Sequence, residues 1–350
     1  MIRIPAKSKQ AQEANNLIEG LQAYFVSKLN TIALTYGEGK SCEPVEWGRD
    51  EGRHGGGVRY EARDEIVFDR GSVNMSQVHY DDDERKNLGS ATAISTIIHP
   101  RNPHAPSMHM HISWTQMRDG KGYWRIMADL NPSLLSESHL DAKIFSKMLE
   151  EVSHEHYEEG KAQGDRYFNI PVLGRTRGVS HYYLEGFNSG DFNADKIFAQ
   201  KAGEAVIDTY ISILSSKLEL HPRFSKEDKE EQLAYHTLYL FQVLTLDRGT
   251  TSGLLIHDQN DVGIMGSIPS HINRNILASW TAKMPVPQDK LVESLLKALP
   301  KEVPTPVNEK TKIALANAVR KHYKKYPQAL SLQASGESVP PTVDNHKRQS

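Results

Sequence analysis

Four histidines, His99, His104, His109 and His111, fall within thirteen residues of the stretch His99-Pro100-Arg101-Asn102-Pro103-His104-Ala105-Pro106-Ser107-Met108-His109-Met110-His111-Ile112-Ser113-Trp114. Imidazoles at this density can exchange protons near neutral pH or hold a transition metal. Pro100, Pro103 and Pro106 favour an extended, rigid loop. The period-two alternation of a following strand then puts His109 and His111 on one face. The plainer use of the same pattern is a polar sheet rim, and that alternative stays open. A metal site would need more donors than two imidazoles. His154-Glu155-His156 offers some, but 154 and 156 point to different sides of a helix.

Two other motifs carry possible chemistry. Gly55-Gly56-Gly57 lacks side chains and so can admit a flat ligand close to the backbone, or simply form a turn. Asp247-Arg248-Gly249-Thr250 follows an apolar run and can pair with a ligand or close a turn; a buried Asp or Arg there would need a partner.

These residues are positioned by a predicted α+β fold. Apolar residues from Leu17 to Leu29 recur at helical spacing within a helix expected from about Lys9 to Ile32. Strands are expected at Val58–Phe68, Ser72–Tyr80, Thr92–His99, Met108–Met117 and Tyr123–Leu130, the last two joined by a hairpin at Arg118-Asp119-Gly120-Lys121-Gly122. Antiparallel pairing argues against a dinucleotide-binding parallel sheet. Helices are expected over roughly His139–Gln163 and Ala194–Leu220, with the charged segment Ser225–Gln232 leading into another element. Strands are then expected to return at Leu238–Leu246, Gly253–Ile256 and Val262–Ile268, about seven in all. Gln288–Leu299 and the basic segment Asn308–Tyr326 are predicted helices on either side of a linker at Val303-Pro304-Thr305-Pro306. The stretch from about Gln328, rich in Ser, Pro, Gln and charge, is expected to be disordered.

Composition narrows the function classes. Among 350 residues, 38% are hydrophobic and 25% charged, as in ordinary soluble proteins. The formal charge of -2 provides no positive field for nucleic acid or an anionic membrane. The single cysteine, Cys42, excludes an internal disulfide and a thiolate cluster. The chain has no run of about 18 apolar residues and no secretory signal, so the expectation is a cytoplasmic protein without an integral membrane segment.

In order along the chain, Gly55-Gly56-Gly57 with Arg59, Gly71-Ser72-Val73-Asn74-Met75-Ser76, Ser95-Thr96-Ile97-Ile98-His99-Pro100-Arg101-Asn102-Pro103, His109, Tyr123-Trp124, Asp129-Leu130-Asn131-Pro132, Arg177-Gly178, Asp247-Arg248-Gly249-Thr250 and Gly253-Leu254 resemble the oxygen-dependent coproporphyrinogen III oxidases. The resemblance runs over 47–303 and implies one domain over 1–303, with 304–350 as a C-terminal extension. It implies a large antiparallel sheet with helices on both faces, usually as a homodimer. It also implies a reaction: oxidative decarboxylation of two propionates of coproporphyrinogen III to vinyl groups, with O2 as co-substrate and no organic cofactor.

By the same resemblance, His109 is the catalytic proton donor and Ser95 a substrate-binding serine. His111, Ser113, Asp247, Arg248, His257, Arg59 and Arg125 complete the expected substrate-binding set. His99 and His109 stand where a divalent metal has been placed in the family. The chain departs from the pattern at His111-Ile112-Ser113 and at His257-Asp258-Gln259-Asn260, where propionate-binding arginines are expected. Arg125, Arg101, Arg177, Arg59 or protonated His257 would have to compensate. Two alternatives follow: a catalytically silent tetrapyrrole or small-molecule binder on the same scaffold, and a histidine-dependent metallo-oxygenase.

Overall fold

The computed structural model describes residues 2–257, 260–336 and 342–346. A 28-residue helix, α1 (Lys9–Tyr36), opens it. The Ser8 side chain accepts from the Ala11 amide and caps one of the orphan N–H groups of the first turn. Its apolar stripe of Ile18, Leu21, Phe25 and Leu29 is buried.

Seven strands follow in one antiparallel sheet whose spatial order matches chain order. They are β1 (Glu43–Gly48), β2 (Gly55–Glu61), β3 (Phe68–His79), β4 (Leu88–Pro100), β5 (Ser107–Met117), β6 (Gly122–Asn131) and β7 (Ser180–Phe187). The turn expected between β5 and β6 is present. Gly120 has φ +87°, and the Met117 amide donates to the Lys121 carbonyl at 2.7 Å. The predicted strand Val58–Phe68 is instead the end of β2, a connection, and the first residue of β3. In that connection the buried Asp64 carboxylate accepts from the Glu38 and Lys40 amides.

Alternation divides the sheet into two unlike faces. One presents Val73, Ile94, Met110, Ile112, Ile126 and Ala128. Against these pack α1, α2 (His139–Ser153) and α4 (Phe192–Leu220) in one apolar core. The opposite face is largely polar, and it is covered by α5 (Lys226–Thr245) and the segments after it. A second core, which takes only Ile97 from the sheet, joins α5 to α9 (Gln288–Ala298) and α10 (Glu309–Lys325). Helices therefore lie on both faces, as expected for this α+β fold.

Several expectations need correction. The helix predicted over His139–Gln163 breaks at His154, which has φ +46°; α3 (Tyr157–Tyr167) follows. Leu238–Leu246 is not a strand: it is the buried second half of α5 and the residue capping it. Ser225 and Asp228 form a capping box at the start of that helix. Every residue from Tyr235 to Thr245 is buried, so the apolar pattern runs all round the helix and loses its 3.6 periodicity. Gly253–Ile256 is the end of α6 (Arg248–Ile256), and Val262–Ile268 contains α7 (Asp261–Ile264) and a tight 3-10 turn. Asp258 and Gln259 lie outside the described residues. These three expected strands fall away, and β1 and β7, neither of them anticipated, join the other five to make seven.

The expected linker is also anchored: Thr305–Pro306 pairs with His271–Ile272. Of the segment expected to be disordered from about Gln328, residues 337–341 and 347–350 lie outside the described residues, and the stretch up to Gly336 is ordered. Pro327–Leu332 forms a 3-10 helix, the Ala334 amide donates to the Leu246 carbonyl at 2.9 Å, and Gln333 reaches Thr251 and Tyr323. Within the basic helix, His322 is buried and bonded to Gln288 at 2.8 Å.

Candidate active site

The polar face of the sheet forms the floor of a cavity of about 290 Å³. Strand register arranges the floor in cross-strand rows. One row runs Ser72, Ile97, His109, Asp129, His181; the next runs Arg59, Asn74, Ser95, His111, Met127, Tyr183. A third pairs Ser76, Ala93, Ser113 and Arg125. Tyr239 and Val243 of α5, Asp247 and Arg248 at the start of α6, and Ile264 and Ser267 form the opposite wall.

At one end of the floor is a buried relay. His109 Nδ1–H donates to Asp129 Oδ1 at 2.7 Å. Asp129 Oδ2 accepts from Arg177 Nη2 at 2.7 Å and from Asn131 Nδ2 at 2.6 Å. Arg177 Nη1 donates to Gln242 Oε1 at 2.6 Å, and its guanidinium lies over Phe168 and Tyr239. Burial alone would push the Asp129 carboxyl up, but Arg177, His109 and Asn131 together hold it well below the usual carboxylate range. An ionised Asp129 fixes the proton of His109 on Nδ1 and leaves Nε2 as the nitrogen that exchanges a proton with a ligand in the cavity.

His111 contributes differently. Burial, followed by the Arg125 and His109 charges, lowers it to about 3, and its Nε2 hydrogen-bonds Ser113 Oγ at 3.0 Å. It is a neutral polar group. Arg125 lines the cavity; burial opposes its charge, but Tyr183, Tyr123 and Glu185 outweigh that and keep it protonated. Asp247 caps α6 through the Thr250 amide and accepts from the Tyr167 hydroxyl at 2.9 Å. Burial raises Tyr167 well above its ordinary range, so it remains a donor.

The structure brings Ser95, His109, His111, Arg125, Asp247 and Arg248 to the cavity wall. Ser113 shares the face and supports His111 without lining the cavity. Arg59 is buried and engaged by Glu61 through Nε and Nη2 at 2.9 and 2.7 Å, behind Gly263 and Gly266. His257 is also off the wall. It sits against Arg49 and Trp47, and burial with the Arg49 charge lowers it to about 3, so it does not serve as a protonated propionate ligand. Gly55-Gly56-Gly57 faces protein, not ligand: a Cβ on Gly57 would lie 2.2 Å from the Met75 carbonyl oxygen and 2.7 Å from Trp47 Nε1. Cys42 is half-buried, and burial raises its thiol to about 11, which makes it a poor nucleophile.

The expected His99 and His109 metal pair does not fit its surroundings. His99 is fully buried. Its Nδ1 bonds Ser107 Oγ at 2.8 Å and its Nε2 donates to the Ser267 carbonyl at 3.1 Å, so both nitrogens are used by the protein. Neither histidine belongs to a three-donor cluster among the described residues.

The sequence reading assigned no role to Asp129, gave Arg177 only as a substitute propionate ligand, and missed the aromatic groups Tyr167 and Tyr239. One signal was available for Asp129. Counting equally in both directions from Asp119 in the hairpin turn pairs His109 with Asp129, as the register confirms. Arg177 and Tyr239 come from elements distant in sequence, and no local pattern places them.

Comparison with known proteins fits this arrangement. The family described as coproporphyrinogen III oxidase matches residues 13–302. The chain is 29% identical over 278 residues to the mitochondrial oxygen-dependent coproporphyrinogen-III oxidase of Rattus norvegicus, covering 72% of this chain and 60% of that protein. With the oxygen-dependent coproporphyrinogen-III oxidase of Rickettsia akari (strain Hartford) the identity is 28% over 286 residues, 77% of this chain and 100% of the relative. With that of Drosophila melanogaster it is 28% over 279 residues, 73% and 69%. No helix among the described residues is long and apolar enough to cross a membrane. With the match spanning nearly the whole sheet and both its covering layers, the chain belongs to the coproporphyrinogen III oxidase family.

Proposed function

We propose that this chain carries out the oxygen-dependent oxidative decarboxylation of two propionates of coproporphyrinogen III, giving protoporphyrinogen IX. The observation that carries this reading is the His109–Asp129–Arg177 relay, which opens onto the polar floor of the cavity in a chain of this family. In each half-reaction a propionate loses CO2 and a β-hydrogen with its electron pair. That pair passes to O2, and one further proton completes hydrogen peroxide. Arg125 and Arg248 supply positive charge for the propionates, and charge-assisted contacts of this kind are the strong ones. His109 Nε2 exchanges the proton, while Asp129 and Arg177 hold the ring in place. The electrons come from the propionate side chain, activated by the electron-rich pyrrole that bears it, so the chain's task is to bind, orient and manage protons.

A second reading, binding without turnover, is favoured by one observation. No arginine occurs in His111-Ile112-Ser113 or in His257-Asp258-Gln259-Asn260, where propionate-binding arginines are expected, and Arg177 is committed to Asp129 and Gln242. Incubation of the purified chain with coproporphyrinogen III, with and without air, separates the two. O2-dependent release of two CO2 per porphyrinogen is the expected outcome. Porphyrin binding without CO2 release would overturn the oxidase in favour of the binder.

A further inference from the structure

His104 of the histidine-rich stretch lies outside the cavity and sits in a second cluster assembled from four separate segments. It lies in the loop between β4 and β5. Glu137 ends the 3-10 turn Leu135–Glu137 ahead of α2, His221 caps the C-terminus of α4, and Asp228 lies in the first turn of α5. His104 Nδ1 faces Glu137 Oε2 at 2.7 Å, and Nε2 faces Asp228 Oδ2 at 3.4 Å. The His221 ring stacks on that of His104, with centroids 4.4 Å apart and planes 10° from parallel. The donor atoms of His104, Glu137 and His221 all lie within 4.8 Å of one another.

The backbone beneath these side chains is fixed by one residue. The Asn102 side chain, itself buried, accepts from the His104 amide through Oδ1 at 3.0 Å and donates to the His221 carbonyl through Nδ2 at 2.5 Å. A single amide therefore fixes the spacing of the two backbone positions that carry the imidazoles, support that a chance meeting of surface groups lacks.

From this geometry we infer that His104, Glu137 and His221 form a binding site for a borderline divalent cation, zinc in particular. Two imidazoles and one carboxylate, with a fourth position left to water, make a set that suits Zn²⁺. The cation replaces the proton shared by His104 Nδ1 and Glu137. Nε2–H then donates to Asp228, the carboxylate–histidine–metal arrangement that holds a ligand ring in its coordinating tautomer. Donors around a tetrahedral zinc sit about 3.4 Å apart, so the cluster must close by about 1 Å. Closing it turns the His221 ring out of its stack on His104, because parallel rings cannot both aim a nitrogen at one ion, and Glu137, whose side chain is 42% exposed, is free to follow. Bound zinc ties the histidine-rich loop to the α4–α5 turn. The inference does not depend on the reaction in the cavity, from which this cluster is separate.

The test is titration of the chelator-stripped full chain with Zn²⁺ against a chromophoric competitor, together with four variants. One tight equivalent per chain is expected for the unaltered protein. His104→Ala and His221→Gln should each weaken it at least tenfold, and the double variant His104→Ala/His221→Gln should remove it. His109→Ala, which alters the cavity, should leave it unchanged. His221→Gln keeps a polar side chain of similar size, and circular dichroism of each variant checks that lost binding is not lost folding. No saturable equivalent in the unaltered chain, or the same equivalent in the folded double variant, would overturn the site. An equivalent lost in His109→Ala but retained in His104→Ala would place zinc in the cavity instead and refute it equally.

Discussion

The floor and the opposite wall of the cavity are built by different rules, and the sequence discloses them unequally. The floor is a face of β3 to β6, where each side chain's direction follows from its place in the alternation. Once the β5–β6 turn is recognised with its centre at Asp119, His111 pairs with Met127 and His109 with Asp129. The opposite wall comes from α5 to α7. There the apolar run Leu238–Leu246 is equally compatible with a buried strand and a helix buried on every side. Length is the arbiter: the Ser225–Asp228 capping box opens a helix of 20 residues, too long for the nine-residue strand expected. Periodicity thus exposes chemistry on a half-buried sheet and conceals it on a fully buried helix.

The largest effect should separate the two regions by the kind of damage they suffer. His109→Ala removes the proton-exchanging nitrogen from the floor but leaves the Asp129–Arg177 pair intact. The turnover rate should fall by roughly a hundredfold to ten-thousandfold, with little change in thermal unfolding. Rates measured under air together with calorimetric unfolding would check this. Undiminished turnover would remove His109 from the chemistry, and a collapse in stability would make it a structural residue like those of the opposite wall.

Phe241→Ala should do the reverse. Phe241 is fully buried in α5, edge-on to Trp280 at 5.1 Å and remote from the floor histidines. Emptying that volume should cost about 3–5 kcal/mol in denaturant unfolding. At a permissive temperature the folded fraction should still turn over at nearly the unaltered rate. A smaller stability loss than for Met110→Ala, on the opposite side of the sheet, would show that the α5 core is the softer of the two.

The same contrast bears on how much of the site was legible at all. Local alternation puts His109 on a strand face, while the roles of His109 and Ser95 follow from the family resemblance and Arg125 stands as a compensating cation; all three line the cavity. Arg59 and His257 were misplaced because local sequence cannot show that Glu61 engages the one and that Arg49 and Trp47 enclose the other. β1 was missed because Glu43-Pro44-Val45-Glu46 alternates too weakly at a sheet edge, where burial is partial. Arg177 reaches Asp129 across 48 positions of chain, a closure that topology determines and spacing does not.

Acid should strain the two regions through histidines held neutral in each, and this is the smallest effect. Burial lowers His111 on the floor to about 3 and His236 in α5 to about 4, against 6.5 for each as an ordinary group. Between those values the unfolded chain binds more protons than the folded one, so stability must fall as the pH drops below about 6.5. A fully buried group would lose about 1 kcal/mol by pH 5.5. His236 is 4% exposed and should approach that figure. The His111 ring borders the cavity, so solvent there should reduce its share. Urea unfolding of the unaltered chain, His236→Gln and His111→Gln between pH 7 and 5 would measure both slopes, in a range where the Asp69 carboxylate beside His236 stays ionised, held below its ordinary range despite burial by hydrogen bonds from the Ser270 amide and hydroxyl. His236→Gln should flatten the slope more than His111→Gln. The opposite order would mean that the floor, and not the α5 wall, is the drier side of the cavity.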